Sequence, residues 1–283
     1  DEPNSYREPY TIAPAASAAP VLRYTWTEFL QEVNNLAKGL MMLGVEHGMR
    51  VAIWALNYAE WILVQFATAK IGAVMVNINP AYRTFELEYA LKQSEVDTLI
   101  LQGKFKTSDY VGMFYEACPE AFECRPGNIR SEKFPYLRNV VFMGEIIYNG
   151  MYRWSEMIEM GKMISDSELK DREDSVEFDD ALNIQYTSGT TGAPKGVTFT
   201  QQQIRWMGEV MPALLDWRTR NGKLRYLSFL PMSHVVEGIL VAYAPYYILA
   251  DIEMYYLNDF PKLAETLPKV RPNLFFSVPR FYE

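Results

Sequence analysis

The stretch 51-VAIWALNYAEWILVQFATAKIGAVMVNI-78 places a long apolar run between two short ones. Residues 51–56 and 74–78 have the length of strands, whereas 59–73, which ends near Gly72, is long enough for a helix. Strands that are apolar throughout are typical of a parallel sheet covered by helices on both faces. The stretch therefore predicts a β-α-β unit and an α/β fold.

The same alternation continues on both sides of this unit. Upstream, Thr25 and Glu28 have the spacing of a capping box, and apolar residues at helical spacing follow until Gly44. Downstream, the pattern predicts helices at about 84–94, 201–215, 234–248 and 260–269, and strands at 97–101, 139–143, 182–187, 225–230, 252–256 and 273–277. We therefore predict parallel-rich sheets flanked by helices.

The middle of the chain is less regular and suggests a division into parts. Residues 1–23 contain an Ala/Pro run and are interpreted as a flexible lead-in. A first α/β subdomain is predicted over 24–181, with an irregular segment at 119–138 and an acidic surface run at 165–180. A second α/β subdomain is predicted over 182–283.

Composition excludes several classes of protein. The 283 residues are 49% hydrophobic, and a net charge of -8 with a pI near 5.0 argues against a nucleic-acid partner. Two cysteines are too few for a disulfide framework or a zinc site, so we predict a reducing compartment: the cytoplasm, or the mitochondrial matrix in a eukaryote. Glu237 and Pro245 interrupt the apolar tract 235–250, which predicts a core helix and no transmembrane segment.

The stretch 186-YTSGTTGAPKGVTFT-200 combines hydroxyl residues, glycines and a lysine directly after a predicted strand. Its glycines permit positive φ and let backbone N–H groups converge on an anion, while Lys195 adds a charge suited to phosphate oxygens. Pro194 and Gly196 stand where a Walker A loop needs glycine and a hydroxyl residue, which excludes that motif. A flexible turn between two strands is the alternative, but the lysine behind a proline favours a polyphosphate site.

Four segments together resemble the adenylate-forming enzymes, which include acyl-CoA synthetases, the adenylation domains of peptide synthetases, and luciferases. Residues 186–197 resemble the phosphate-binding signature of that family, and 71-IGAVMVNINPAYRTFELEYALKQS-94 resembles a segment of its first subdomain. Further on, 229-FLPMSHVVEG-238 and 278-VPRFYE-283 resemble later motifs, the last one seen particularly in long-chain members. The resemblance covers residues 24–283 and implies the N-terminal domain of the family, with two parallel-rich sheets in α-β-α-β-α layers.

The resemblance implies an ATP-dependent fatty acyl-CoA synthetase, an AMP-forming acid–thiol ligase. In this family a carboxylate attacks the α-phosphorus of ATP, pyrophosphate leaves, and the thiol of CoA then displaces AMP from the acyl-adenylate. ATP, a fatty acid and CoA are the implied substrates, with Mg²⁺ as cofactor. The resemblance assigns His234 to the catalytic centre as a positioning group, and it assigns the ATP phosphates to Thr187, Ser188, Gly189, Thr190, Thr191, Gly192 and Lys195.

Two weaker assignments follow from the same resemblance. Thr191 is a candidate ligand of Mg²⁺. Val235, Gly238 and Tyr243 could line an acyl pocket, although an apolar stripe at helical spacing is more often plain core. Peripheral membrane contact and a homodimer stay open.

Some features depart from the family pattern. Phe199-Thr200-Gln201 stands where the family usually has Leu-Thr-His, and the Tyr-Gly-x-Thr-Glu motif, the ribose-binding aspartate and the C-terminal lysine are not found. We therefore expect an N-terminal portion that is inactive by itself. The acyl chain length stays open, since the first part resembles medium-chain members and the part after 225 long-chain ones. The alternatives are a non-catalytic nucleotide- or acyl-binding module and an adenylating enzyme with an acceptor other than CoA.

Overall fold

The computed structural model describes residues 10–12, 24–187, 194–214, 223–243, 246 and 251–277. The strands are β1 Tyr10–Ile12, β2 Arg50–Trp54, β3 Val74–Asn77, β4 Thr98–Leu101, β5 Lys104–Phe105, β6 Ser108–Asp109, β7 Asn139–Phe142, β8 Tyr152–Arg153, β9 Ala181–Thr187, β10 Lys195–Thr200, β11 Lys223–Ser228 and β12 Asp251–Tyr256. The α-helices are α1 Trp26–Met42, α2 Ala59–Lys70, α3 Thr84–Gln93, α4 Tyr110–Ala117, α5 Trp154–Gly161, α6 Asp166–Asp174, α7 Gln201–Leu214 and α8 Leu263–Val270.

Three helical segments of the described residues have other hydrogen-bond patterns. A 3₁₀ turn spans Pro119–Glu123, and a second one, Phe260–Lys262, leads into α8. Val236–Val241 forms a π-helical segment with a wider turn than an α-helix. Such segments are rare and are frequently found at functional sites.

The larger sheet has seven strands in the order β10-β9-β3-β2-β4-β7-β8. Every neighbouring pair in it is parallel except β9 and β10, which are antiparallel. Every residue of β3, β4 and β7 is buried, as the apolar runs predict for strands covered on both faces. One face of this sheet packs with α3 and α4 around Trp54, Phe114 and Tyr110.

The smaller sheet has three strands in the order β1-β12-β11, and both pairings are parallel. A single bridge joins Tyr226 of β11 to Leu274. The sequence predicts a strand at 273–277, but the described residues there form only this bridge. The α/β class and the parallel-rich sheets are confirmed.

The beginning of α1 follows its sequence signals closely. Thr25 N donates to Glu28 Oε2 at 2.7 Å, and Glu28 N donates to Thr25 Oγ1 at 3.2 Å, which forms the predicted capping box. At the other end, Gly44 has φ of +82° and its N–H donates to Met41 O, so the chain leaves the helix through a conformation that favours glycine.

The predicted domain boundary at residue 182 stays a prediction, and the contacts of the chain give a division of their own. The contacts of the chain divide it into one unit of residues 32–55 and 63–202 and another of 1–31, 56–62 and 203–283. Strand β9 pairs with β3, and β10 pairs with β9, so both strands belong to the larger sheet. The alternation of elements resumes near 182, but strand pairing between distant segments determines sheet membership.

Three helices occur where the sequence predicts no regular structure. They are α4, α5 and α6, which all lie between residues 102 and 180. Helix α6 occupies the acidic run, and Ser165 forms a capping box with Glu168 at its start. Among the described residues, no helix combines the length and the apolar character needed to cross a membrane.

Candidate functional site

The predicted phosphate loop connects two antiparallel strands. Thr187, the last residue of β9, is paired with Lys195, the first residue of β10, and Gly196 is paired with Tyr186. The sequence places the polyphosphate motif between these strands without predicting β10. The backbone pairing brings the two ends of the connection together. Of the predicted phosphate-binding residues, the structure describes Thr187 and Lys195.

The remaining predicted phosphate ligands lie outside the described residues. They are Ser188, Gly189, Thr190, Thr191 and Gly192. Lys195 is exposed at the mouth of the connection, and the first four residues of β10 are exposed as well. An exposed ammonium at the base of a glycine-rich connection can reach an anion held there.

Gly196 is fixed by its packing against the neighbouring strand. A Cβ atom at this position would lie 2.8 Å from Ile184 Cγ2, which is closer than van der Waals contact allows. The opposite residue, Tyr186, is buried, and its hydroxyl lies 2.7 Å from Ser94 Oγ. Burial raises the pKa of Tyr186, so the hydroxyl stays protonated. A larger residue after Lys195 would therefore require the Ile184 side chain to shift.

The base of this hairpin is tied by Asp180, which precedes β9. Asp180 Oδ2 accepts from Glu177 N at 2.7 Å and lies 2.7 Å from His47 Nε2. Gln201 N donates to Asp180 O at 3.0 Å and closes the two strands at their far end. His47, which the sequence suggests is a surface residue in a turn, is thus partly exposed and bound to the hairpin base.

His234 lies in the other unit, in the turn that follows β11. We call Phe229–His234 the His234 turn. His234 N donates to Pro231 O at 2.7 Å, and Gly238 N donates to His234 O at 2.8 Å. Val236 N donates to His234 Nδ1 at 3.3 Å, so the neutral ring carries its proton on Nε2. Burial of part of the ring lowers its pKa, which favours the neutral form.

The three predicted acyl-pocket residues follow His234 on the same helical segment. Val235 is 44% exposed, whereas Gly238 and Tyr243 are buried. Their burial is equally compatible with core packing. The acyl pocket therefore stays a prediction.

Asn57 binds the His234 turn, a role that the sequence analysis does not predict. Its Nδ2 donates to Leu230 O at 2.7 Å and to Ser228 Oγ at 3.1 Å, and its Oδ1 accepts from Met232 N at 3.0 Å. The side chain is 3% exposed. A polar residue after an apolar strand usually indicates a loop, so the sequence does not predict this contact.

Glu237 binds the same turn from the π-helical segment. Its Oε1 accepts from Phe229 N, Leu230 N and Tyr226 Oη, each at 3.2 Å. The side chain is fully buried, and burial raises the pKa of Glu237 to about 8. The hydrogen bonds that it accepts favour the charged form and lower the pKa, but burial has the larger effect. The carboxyl group is therefore mostly protonated at neutral pH. A charged residue inside the apolar tract 235–250 was the available sequence signal, since a buried carboxyl needs hydrogen-bond partners.

The described residues do not fit a resident metal ion. Among them, no group of three or more His, Cys, Asp or Glu side chains is placed to hold one. Thr191, the predicted Mg²⁺ ligand, lies outside the described part of the chain. Mg²⁺ is usually held by few protein ligands together with substrate phosphates. Its binding therefore stays a prediction from the resemblance.

Sequence comparison identifies the family. The model of the family described as AMP-binding enzyme matches residues 7–283. A Bacillus subtilis protein named as an acyl-CoA synthetase is 44% identical over 183 residues, which are 65% of this chain and 33% of that protein. The mitochondrial medium-chain acyl-CoA ligase of Danio rerio is 37% identical over 65% of this chain and 30% of its own length. The chain thus spans about a third of these curated relatives.

Solved structures share the fold. The N-terminal domain of FACL13 from Mycobacterium tuberculosis, bound to an inhibitor, superimposes with a TM-score of 0.65 at 22% identity, over 98% of this chain and 63% of that one. The anthranilate CoA ligase AuaEII in complex with anthranoyl-AMP gives a TM-score of 0.69 at 20% identity, over 98% of this chain and 48% of that one. Together with the family match, these findings confirm the resemblance read from the motifs: the chain belongs to the AMP-binding enzyme family, and its sequence relatives are named acyl-CoA synthetases and ligases.

Proposed function

We propose that this chain supplies the pyrophosphate-binding hairpin and the His234 turn of an ATP-dependent fatty acyl-CoA synthetase. The observation that carries the proposal is the pairing of Thr187 with Lys195, which closes the connection 188–194 between two adjacent strands. This arrangement supports a compact anion site, because the connection starts and ends at neighbouring backbone positions. The family match and the names of the relatives support the reaction class.

In the proposed reaction, a fatty acid carboxylate oxygen attacks the α-phosphorus of ATP. The bond between the α-phosphorus and the bridging oxygen breaks, and pyrophosphate leaves with the electron pair. Lys195 would stabilise the negative charge that grows on this leaving group. The thiol of CoA then attacks the acyl carbon and releases AMP. Much of the rate enhancement of such steps comes from positioning and charge stabilisation.

His234 would contribute as a positioning donor. Because Val236 N occupies Nδ1, the proton of the neutral ring is on Nε2 and can be donated to a carboxylate or phosphate oxygen. The lowered pKa keeps this tautomer neutral near pH 7. A neutral donor can orient the acyl carboxylate without removing its charge, which suits a nucleophilic oxygen.

The test is the exchange of radiolabelled pyrophosphate into ATP by the full-length protein in the presence of fatty acids of different length. We expect exchange that depends on the fatty acid and persists without CoA, and acyl-CoA formation only when CoA is added. Absence of exchange with any carboxylate would overturn the proposal and favour a non-catalytic binding module. Product formation that continues without CoA would indicate another acceptor.

The 283-residue chain is expected to be inactive by itself. It spans about a third of its curated relatives, and the proposed reaction is assigned to the full-length protein. Measurable acyl-CoA formation by this chain would contradict that expectation. The cytoplasm, or the mitochondrial matrix in a eukaryote, stays the proposed location, and several relatives are named as mitochondrial.

A further inference from the structure

The His234 turn is bound by buried side chains from two different segments. Asn57 comes from the segment between β2 and α2, and Glu237 comes from the π-helical segment after the turn. Both side chains bind backbone atoms of the turn, which makes their contacts independent of the side chains at positions 229–233. The turn is therefore held at its backbone.

Asn57 uses each polar atom of its side chain. Its two Nδ2 hydrogens serve Leu230 O and Ser228 Oγ, and its Oδ1 serves Met232 N. Its own backbone is bound in turn, because Asn57 N donates to Asn258 Oδ1 at 2.8 Å and Asn258 Nδ2 donates to Asn57 O at 3.1 Å. A fully satisfied and fixed amide defines the path of the backbone that it binds.

Glu237 binds the first two residues of the same turn, Phe229 and Leu230. Its Oε1 accepts from two successive N–H groups of the turn, and its Oε2 has no hydrogen-bond partner among the described residues. The titratable groups that act on this region are also acidic: the pKa of Tyr256 is raised by burial, then by Tyr246, Glu237 and Glu60. Burial is what opposes a negative charge on Glu237.

We infer that Asn57 and Glu237 are positioning residues that set the orientation of the His234 imidazole by holding the His234 turn from both sides. This inference rests on the proposed function for its catalytic meaning, but the structural part stands separately. Leu230 is bound by both residues, through its O by Asn57 and through its N by Glu237. Held there, the turn presents His234 so that Val236 N reaches Nδ1 and the proton is placed on Nε2.

The two histidines of the chain make a direct measurement practical. His47 and His234 are the only ones in the sequence, and they lie in different units. Selective ¹⁵N labelling of histidine in the full-length protein gives ring nitrogen shifts that report the tautomer of each histidine, and the variants His47→Ala and His234→Ala assign the signals of these two residues. His47, bound to Asp180, serves as an internal reference.

The variants Asn57→Leu and Glu237→Met remove the hydrogen bonds with little change in side-chain volume. We expect the preference of His234 for the Nε2–H tautomer to fall about fivefold in each, the effect of losing one ordinary hydrogen bond at the ring. Glu237→Gln retains an acceptor oxygen and is expected to keep the signals of His234. The signals of His47 are expected to stay unchanged in all three variants.

Two control variants separate positioning from general loss of stability. Asn139 is as buried as Asn57, at 3% exposure, and donates to Leu43 O and Thr98 Oγ1 in the larger sheet. Glu253 is 5% exposed in β12 and pairs with Arg225. Asn139→Leu and Glu253→Met are expected to lower the melting temperature without moving the signals of His234.

Several outcomes would overturn the inference. Unchanged His234 signals in folded Asn57→Leu or Glu237→Met would do so, as would equal changes in the control variants. If Asn57→Leu does not fold, Asn57→Ser replaces it, since serine keeps one short polar group but cannot span both Leu230 O and Met232 N. Wild-type signals of His234 in folded Asn57→Ser would then reject the role of Asn57.

A second measurement tests the catalytic meaning in the full-length protein. Asn57→Leu is expected to lower kcat for pyrophosphate exchange about tenfold with little change in the KM for ATP, and to have almost no further effect in a His234→Ala background. A loss of the same size in that background would reject the positioning role. If the wild-type protein shows no exchange, the proposed function fails, whereas the labelling experiment still decides whether Asn57 and Glu237 orient His234.

Discussion

The hairpin of β9 and β10 and the His234 turn are both built on the carboxyl end of a parallel strand, β9 in one and β11 in the other. They differ in the contacts that hold them. The hairpin carries Lys195 on an exposed strand that is paired on one side only, with β9. The His234 turn is held at its backbone by Asn57 and Glu237, which are both buried. Lys195 thus lies on an exposed strand, whereas the turn before His234 is bound by buried polar side chains.

This difference matches the two roles proposed for the regions. A residue that stabilises the charge of a polyphosphate has to present its own charge, as the exposed Lys195 does. A group that orients a reacting carboxylate has to be held in place, because small displacements of a positioning residue are costly in rate. The comparison predicts that substitution of Lys195 acts on charge, whereas substitutions around the turn act on geometry.

The largest expected effect concerns Lys195. Lys195→Ala should lower the rate of pyrophosphate exchange by about 100-fold in the full-length protein, because a charge that stabilises the leaving group is lost. The melting temperature should change little, since the residue is exposed. Lys195→Arg, which keeps the charge, is the matched control. Equal exchange rates in Lys195→Ala and the wild type would remove the hairpin from the proposed site.

The next effect concerns the protonation of Glu237. Its pKa in the folded protein is raised to about 8 by burial, so the folded state holds a proton that the unfolded state releases above its ordinary pKa. The resulting stability is fully present below the unfolded pKa and is lost as the pH rises through about 8. We expect the wild type to lose roughly 2 kcal/mol or more relative to Glu237→Gln between pH 5 and 9.

Urea unfolding of both proteins at pH 5, 7 and 9 measures this difference. Glu237→Gln is the appropriate reference because its amide cannot ionise in this range. A wild type that gains stability over Glu237→Gln as the pH rises would show that Glu237 is ionised in the fold. The contrast between a buried, neutral turn and an exposed hairpin would then be weaker.

A smaller effect is expected at Gly196. Gly196→Ala would bring a Cβ to 2.8 Å from Ile184 Cγ2 and should destabilise the fold by about 1 kcal/mol. In an Ile184→Ala background, which lacks that methyl group, the same substitution should cost much less. Additive losses in the double variant, measured by thermal unfolding, would show that the contact with Ile184 does not restrict the hairpin.

The smallest effect is expected at the hairpin base. His47→Ala removes the 2.7 Å contact with Asp180, which is partly exposed, and should cost no more than about 1 kcal/mol. The pKa of Asp180 is lowered because its hydrogen bonds from Glu177 N and His47 outweigh burial. That contribution is present above the unfolded pKa and is lost as the pH falls through the folded one. A penalty for His47→Ala that grows as the pH falls below the ordinary pKa range of a carboxyl group would contradict this sign.

The sequence predicts the framework of the fold well, because the signals are local. The apolar runs at β2, β3 and β4 and the capping box at Thr25 each occur within a few residues. The sequence does not predict strand β10, because its lysine, glycine and threonines are also typical of the loop before it. The alternation of Val197 and Phe199 with Thr198 and Thr200 is the signal that favours a strand. Short-range pattern alone did not separate strand from loop there.

The candidate site was predicted only in part. The sequence predicts Lys195, Thr187 and His234 because they stand in motifs, and their roles stay predictions. Asn57 and Glu237 stand in no motif, because their proposed role depends on the atoms that they bind. Glu237 was interpreted as an interruption of an apolar tract. The pairing of β9 with β3, which lies more than a hundred residues earlier, is not predicted for a related reason. Contacts of this range have no local sequence signal.

The distance along the chain between Asn57 and its partners has a consequence for how the protein folds. Asn57 is 173 residues from Leu230, 175 from Met232 and 201 from Asn258. The hairpin, by contrast, pairs residues 187 and 195. Contacts between distant segments form late, after the entropy of closing a long loop has been overcome. The hairpin can therefore form early during synthesis, whereas the His234 turn reaches its final conformation only when the first and last thirds of the chain have come together.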